Sequence, residues 1–303
     1  MKTNSLAAWI LAVRPYSLGA SIIPVATGSA LAYTDGKFQF VPALLCLLFA
    51  VLMQCTANLV NDLCDFIKGA DQPDRLGPDR AFAKGYITMP AMKRGILSFT
   101  LAAAVIGCGA LGWAVAHNTL IYGGWELLAV GVACILFAYI YTAGPWALAY
   151  HALGDVAVVL FFGLVPAFFT YYIQTGSWSY EVILAATACG LVIDTMLWVN
   201  NFRDRVEDAR CGKRTLVVLL GETVGRWGYL VLGTAATLLC LAFLASERWW
   251  AALLPLVYWI LCFACWRKIV RIDHGDELNV CLGETARNML LFGVLLTAGI
   301  LLG

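Results

Sequence analysis

The sequence predicts an all-α, polytopic membrane protein, a single domain over residues 1–303 with nine transmembrane helices. Three observations carry that expectation. Hydrophobic residues make up 61% of the chain and charged residues only 13%, whereas soluble domains run near about 45–50% and about 25%. The apolar residues gather into runs near about twenty long, the length that crosses a hydrocarbon core. The basic residues fall almost wholly into alternate connecting segments.

Each span has its own boundaries. Span 18–33 follows Arg14-Pro15 and stops before Asp35-Gly36; span 41–59 runs from Val41 into the polar Asn58. Span 95–116 follows Lys93-Arg94 and ends at His117, and 127–142 lies between Glu126 and Gly144-Pro145. Span 153–173 stops short of Gly176, and 182–199 runs from Glu181 to the pair Asn200-Asn201. Span 227–245 follows Arg226, and 249–266 lies between Arg248 and Arg267-Lys268. The last, 289–302, follows Arg287-Asn288 and is short for a crossing.

With nine crossings the termini face opposite sides. Of the twenty Lys and Arg, only Lys37 and Arg248 fall on the side opposite the N-terminus. Basic residues mark the cytoplasmic loops, so the N-terminus is expected inside a cell membrane and the C-terminus outside. The apolar stretch 6–13 is too short, and too soon interrupted by Arg14-Pro15, for a cleaved leader. Twenty basic against nineteen acidic residues leave no surplus for nucleic acid. The eleven cysteines lie mostly within spans and behave as small hydrophobes. Cys262 and Cys265 form a C-x-x-C with no second pair or nearby His, short of a zinc site.

Two polar stretches stand out. After the second span come Asn58, Asn61, Asp62 and Asp65, which share roughly 100° of a helix. Gly69 is expected to end that helix and turn Asp71 back toward the cluster. After the sixth span come Asn200, Asn201, Asp204 and Asp208, again on one face. By the charge count both clusters, like the N-terminus, are cytoplasmic. Polar helix ends are commonly caps, but two matching Asn/Asp faces on one side ask for more. Oxygen donors without His or thiolate suit a hard cation, Mg²⁺ above all, which shares its coordination with substrate phosphates. Each cluster also has Arg and Lys beside it. The pattern fits a diphosphate clamped by metal between two acidic helix ends. A third acid, Asp194, lies about 15 Å deeper along the sixth span. An Asp at that depth costs roughly 2.5–3.5 kcal/mol and is expected to face a cavity or an interhelical partner. Asp194, Trp198 and Asn201 lie near one helical stripe.

These residues resemble the UbiA superfamily of intramembrane prenyltransferases, whose hallmarks are N-D-x-x-D after the second helix and D-x-x-x-D after the sixth. Here they read Asn61-Asp62-Leu-Cys-Asp65 and Asp204-Arg-Val-Glu-Asp208. Further segments resemble the branch that prenylates 1,4-dihydroxy-2-naphthoate in menaquinone synthesis. They are Arg14-Pro15, Gly77-Pro78-Asp79-Arg80-Ala81, Tyr141-Thr142-Ala143-Gly144-Pro145, Gly154-Asp155 and Gly212-Lys213-Arg214-Thr215-Leu216. Many superfamily members carry a further Asp where this chain has Gly69; here the next acid is Asp71.

The resemblance implies a UbiA-like bundle around a central cavity, open to the lipid bilayer, with a diphosphate at its inner mouth. It implies Mg²⁺-dependent transfer of a polyprenyl group from its diphosphate to an aromatic acceptor, with loss of the acceptor's carboxyl group. Asp62, Asp65, Asp204 and Asp208 would be catalytic and would hold metal together with Asn61, Asp71 and Asn201. Asn58, Arg75, Arg80, Arg203 and Lys213 would contact the diphosphate, and Asp194, Trp198 and Tyr141 would line the cavity. Two other readings compete: the same chemistry on 4-hydroxybenzoate, and a cation-coupled transporter. The second is disfavoured because no span is visibly broken at its centre, where transporters place their sites.

Overall fold

The computed structural model describes residues 1–71, 76–117, 119–121 and 123–303. Helix α1, Leu6–Val13, is capped by the Ser5 side chain, and Arg14 ends it in a left-handed conformation at φ 53°. Helix α2, Gly19–Thr34, leaves at 48° to the first segment. The bend is latched onto α3, Phe40–Ile67, where Asn58 donates to Val13 O at 2.9 Å and to Ser17 Oγ at 3.1 Å. Helix α3 ends at Lys68 and Gly69, whose φ of 75° lets the chain turn back. Helix α4, Met89–Ala116, follows, then α5, Trp125–Ile140.

Helix α6, Gly154–Val158, continues through a π-helical turn, Val159–Leu164, into α7, Val165–Thr175. Helix α8, Tyr180–Arg203, has a Ser179 cap and is the most buried of the long helices. Short α9, Arg205–Arg210, precedes α10, Leu216–Leu241, which is capped by Thr215 and kinked at Gly221. Helices α11, Trp249–Leu253, α12, Pro255–Ile272, and α13, Leu278–Leu301, complete the chain.

Helix α8 forms the centre, against α10, α13, α2 and the α6–α7 unit. Without a hydrophobic drive between helices in lipid, close backbone approach through small residues holds such bundles together. A Cβ built on Gly163 would lie 2.4 Å from Gly190 Cα, and one on Gly28 2.3 Å from Ala167 O. Backbone cannot yield as a side chain can, so Gly163→Val is expected to destabilise by about 1–3 kcal/mol. A clear fall in the melting temperature of the purified protein in detergent checks this; an unchanged melt would remove the tight crossing.

The span count of nine needs correction. Among the described residues seven helices are long and apolar enough to cross a membrane, or eight if the bent Leu6–Ser17 and Gly19–Thr34 pair is one span. The remaining expected span is α5, apolar but only 16 residues long. The last span is longer than expected: its helix begins at Leu278, because Asn279, Glu284, Arg287 and Asn288 hide eleven helical residues from a hydropathy reading.

Loop contacts sort the helix ends as the charge pattern requires. At one end Asn4 N donates to Tyr86 O at 2.8 Å, Arg214 N to Tyr150 O at 3.2 Å, and Asn279 Nδ2 to Leu76 O at 2.7 Å. At the other, Lys37 Nζ reaches Thr175 O at 3.4 Å, and Arg248 pairs with Glu181 at 3.1 Å and Asp35 at 3.8 Å. Both acidic motifs therefore lie at the end that holds the N-terminus.

Candidate active site

The end of α3, the α8–α9 junction and the loops before α6 and α10 enclose a polar pocket of about 80 Å³. Six of the residues expected to hold metal or diphosphate line it: Asn61, Asp65, Arg80, Asn201, Asp204 and Lys213. Tyr141 closes its inner side together with Asp155. Asp65 is fixed from two directions. Tyr150 donates its hydroxyl to Asp65 Oδ1 at 2.9 Å, and Arg80 Nη2 stands 3.8 Å from Oδ2. Arg80 Nε also pairs with Asp71 at 3.6 Å, so the turn at Gly69 does bring Asp71 back, on the far side of Arg80. The buried Arg80 Nη1 has no hydrogen-bond partner among the described residues.

The second motif is not one helical face as expected. Helix α8 ends at Arg203, and Asp204 is the junction with α9. Asp208 turns inward to Lys213, which donates to its Oδ1 at 3.2 Å, while Asp208 Oδ2 is buried without a hydrogen-bond partner among the described residues. Burial pushes the Asp208 carboxyl up to about 6 despite the neighbouring ammonium. Burial also opposes the charge on Lys213, but Asp208, Asp65 and Asp204 together outweigh it and raise that group above its ordinary value. Burial and the Asp65 carboxylate likewise raise the Tyr150 phenol, so it remains a hydrogen-bond donor.

Several residues of the expected site lie off the pocket or have partners elsewhere. Arg203 is fully buried and committed, with Nε and Nη2 on Asp204 at 2.6 and 2.7 Å and Nη1 on Asn279 Oδ1 at 2.8 Å. It aims Asp204, and its buried guanidinium does not line the pocket. Asn58 is spent on the α1–α2 bend, and Trp198 on helix packing. The Trp198 indole donates to Gly225 O at 2.8 Å, and its ring fills the space a Cβ on Gly228 would need. Asp62 stands behind Asp65, with Oδ2 accepting from Phe82 N at 3.2 Å. Asp194 is 1% exposed in the middle of α8. Arg75 lies outside the described residues.

Two residues were missed. Asp155 begins an apolar span, and a carboxylate there is itself a signal. Tyr150, one of twelve tyrosines, sits in a loop between spans and carries none. It also forms a shelf for cations: Lys68 Nζ lies 4.1 Å and Lys213 Nζ 5.9 Å from its ring centroid.

Deeper in the bundle, α3, α4, α5 and α7 surround an apolar cavity of about 250 Å³. Phe137 and Phe161, stacked at 4.0 Å, stand in its wall, and Phe137 is 5.5 Å from Tyr141 of the polar pocket. One aromatic cluster thus borders both spaces.

Among the described residues no group of three or more His, Cys, Asp or Glu converges closely enough to hold a metal by itself. What the pocket offers is a sparse set of oxygen donors: carboxylates on two walls, amides from Asn61 and Asn201, and the open Oδ2 of Asp208 behind. Such a set suits Mg²⁺, which keeps waters and takes further oxygens from a phosphate ligand.

A family model described as the UbiA prenyltransferase family matches residues 21–301. The chain is 35% identical over 298 residues to the 1,4-dihydroxy-2-naphthoate octaprenyltransferase of Escherichia coli, covering 97% of this chain and 95% of that one. To the protein of the same name from Haemophilus influenzae it is 33% identical, covering 100% and 98%. The fold is similar to that of a UbiA homolog from Archaeoglobus fulgidus bound to DMAPP and Mg²⁺, with a TM-score of 0.62. That pair is 16% identical, with 96% of this chain and 98% of the other covered.

Proposed function

Since the chain belongs to the UbiA prenyltransferase family, a multi-pass membrane family, we propose that it transfers a polyprenyl group from its diphosphate to 1,4-dihydroxy-2-naphthoate. The carboxyl group is lost in the reaction, which gives the demethylmenaquinol of menaquinone synthesis. The observation that carries this reading is one polar pocket with Asp65 and Asp204 on its walls and Arg80 and Lys213 between them, bordering an apolar cavity through Phe137 and Tyr141.

Asp65, Asp204 and Asp208, with Asn61 and Asn201, would hold Mg²⁺ on the diphosphate. When bound, the ion stabilises the negative charge that develops on the leaving group. The protein's own part begins with Arg80 and Lys213, which donate charge-assisted hydrogen bonds to phosphate oxygens. Asp62 and Asp71 hold the loop and the arginine that face the ligand. Tyr150 keeps Asp65 in one orientation, and Arg203 does the same for Asp204. The isoprenoid tail enters the apolar cavity, where water is excluded from the allylic carbon. The faces of Tyr141 and Phe137 stabilise positive charge there by about 2 kcal/mol in a desolvated site. The charge pattern supports a cytoplasmic mouth in the cell membrane.

The test is product formation by the purified protein with a polyprenyl diphosphate and Mg²⁺, with and without EDTA, offering 1,4-dihydroxy-2-naphthoate and 4-hydroxybenzoate together. The expected product, by mass, is a decarboxylated prenyl-naphthoquinol that EDTA abolishes. Exclusive formation of prenyl-hydroxybenzoate would keep the chemistry and overturn the acceptor.

A further inference from the structure

Two carboxylates have no part in holding the diphosphate: Asp155, which lines the pocket, and Asp194, buried within α8. Helix α8 packs on the start of the α6–α7 unit so closely that a Cβ on Gly190 would lie 2.8 Å from Val159 O. The two segments run antiparallel. Asp155, one turn before Val159, and Asp194, one turn after Gly190, therefore come level on one side of the crossing. The adjoining turn keeps the register. Leu197 Cδ2 lies 3.7 Å and the Tyr141 hydroxyl 3.4 Å from the Cβ position of Gly154.

Asp155 and Asp194 interact electrostatically, and both act on the Tyr141 hydroxyl, which stands 3.4 Å from the Cβ position of Gly154. They are 5% and 1% exposed, and Oδ1 of each is buried with no hydrogen-bond partner among the described residues. Asp155 lines the pocket. A buried polar atom without a partner costs stability unless something else uses it. Two neighbouring carboxylates in a dry site hold one proton between them more readily than two charges. Such a pair can both donate and accept a hydrogen bond, which is what a phenolic hydroxyl requires and a diphosphate does not.

Resting on the reading above, we propose that Asp155 and Asp194, with Tyr141 beside them, form the acceptor end of the site: they bind a ring hydroxyl of the aromatic acid and take its proton during bond formation. The pair repels the acceptor's own carboxylate, so the hydroxyl faces α6 and α8 while the carboxyl-bearing carbon faces the allylic carbon. The C–O bond to the diphosphate breaks with its electrons on oxygen. The carboxyl-bearing ring carbon supplies the pair for the new C–C bond, and the hydroxyl proton passes to the Asp155–Asp194 pair, leaving a β-keto acid. The C–carboxylate pair then returns to the ring as CO₂ leaves, and the proton goes back to the ring oxygen. No oxidant or reductant is needed.

The test compares binding of 1,4-dihydroxy-2-naphthoate with its 1,4-dimethoxy derivative, under anaerobic conditions, by the full-length protein. The wild type is expected to favour the hydroxyl form by roughly tenfold or more, as a charge-assisted hydrogen bond allows. Asp155→Leu keeps the branched shape without the charge and is expected to erase that preference. The variant with both Asp155→Asn and Asp194→Asn keeps the shape but has no carboxylate to take the proton, so turnover is expected to fall roughly a hundredfold or more. Affinity for prenyl diphosphate with Mg²⁺ should stay within about twofold in both, which a merely structural role would not permit. A persisting preference in Asp155→Leu, or turnover within about threefold of wild type in the double variant, would overturn the proposal. If Asp155→Leu does not fold, the double variant decides. Repeating the comparison with 4-hydroxybenzoate and 4-methoxybenzoate separates a wrong acceptor from a wrong site: only the discriminated pair changes, and the variants still lose the discrimination.

Discussion

Replacing Asp65 by Asn is expected to lower turnover by at least ~10³-fold, about 4 kcal/mol of lost transition-state stabilisation. Asp65 is the one carboxylate of the first motif that lines the pocket, and it is held by Tyr150 at 2.9 Å and Arg80 at 3.8 Å. Asn keeps the shape and can still accept from Tyr150, so the fold and the loop contact survive. The charge does not, and a neutral amide is a poor ligand for a hard cation. Arg80 and Lys213 would also face the diphosphate with one compensating charge fewer, which tightens ground-state binding without helping the leaving group. The expected pattern is therefore a folded protein with an unchanged melting temperature, metal-free prenyl diphosphate bound at least as tightly as by the wild type, and almost no product. Turnover above about a tenth of wild type would remove Asp65 from the metal-holding set. Tyr150→Phe removes only the orienting bond.

The helical scaffold and the two acidic motifs were legible because they rest on local rules: apolar run length, charge asymmetry and helical phase. Phase places Asn58, Asn61, Asp62 and Asp65 on one face, but it does not say what lies opposite. Asn58 meets Val13 and Ser17, Asp62 meets Phe82, and of the four only Asn61 and Asp65 meet the pocket. Arg203 read as a phosphate ligand because its partner Asn279 is 76 residues away. Trp198 read as cavity lining because the carbonyl it meets, on Gly225, belongs to the next long helix. The break at Asp204 was hidden because a helix end with hydrogen bonds on both sides keeps the local pattern of a continuous one: Asp204 N donates to Asn200 O at 2.9 Å and Asp208 N to Asp204 O at 2.8 Å. The basic residues were the hardest to assign, since a topological signal and a phosphate contact look alike in sequence.

Lys213 can separate those two meanings. Its ammonium is 3.2 Å from Asp208 Oδ1 and lines the pocket. If it binds phosphate, Lys213→Met is expected to weaken prenyl diphosphate affinity about a hundredfold, near the upper range for a charge-assisted hydrogen bond. The single variant also leaves the buried Asp208 without its cation, and breaking a buried pair in this way destabilises by about 3–5 kcal/mol. Lost binding could then reflect lost structure. Combining Lys213→Met with Asp208→Asn removes the charge on both sides and should restore most of the melting temperature, because an absent pair costs less than a broken one. Affinity for metal-free prenyl diphosphate should remain low in the double variant, since only Lys213 of the two attracts an anion. If stability and affinity return together, Lys213 serves to neutralise Asp208, and Arg80 is left as the cation facing the leaving group.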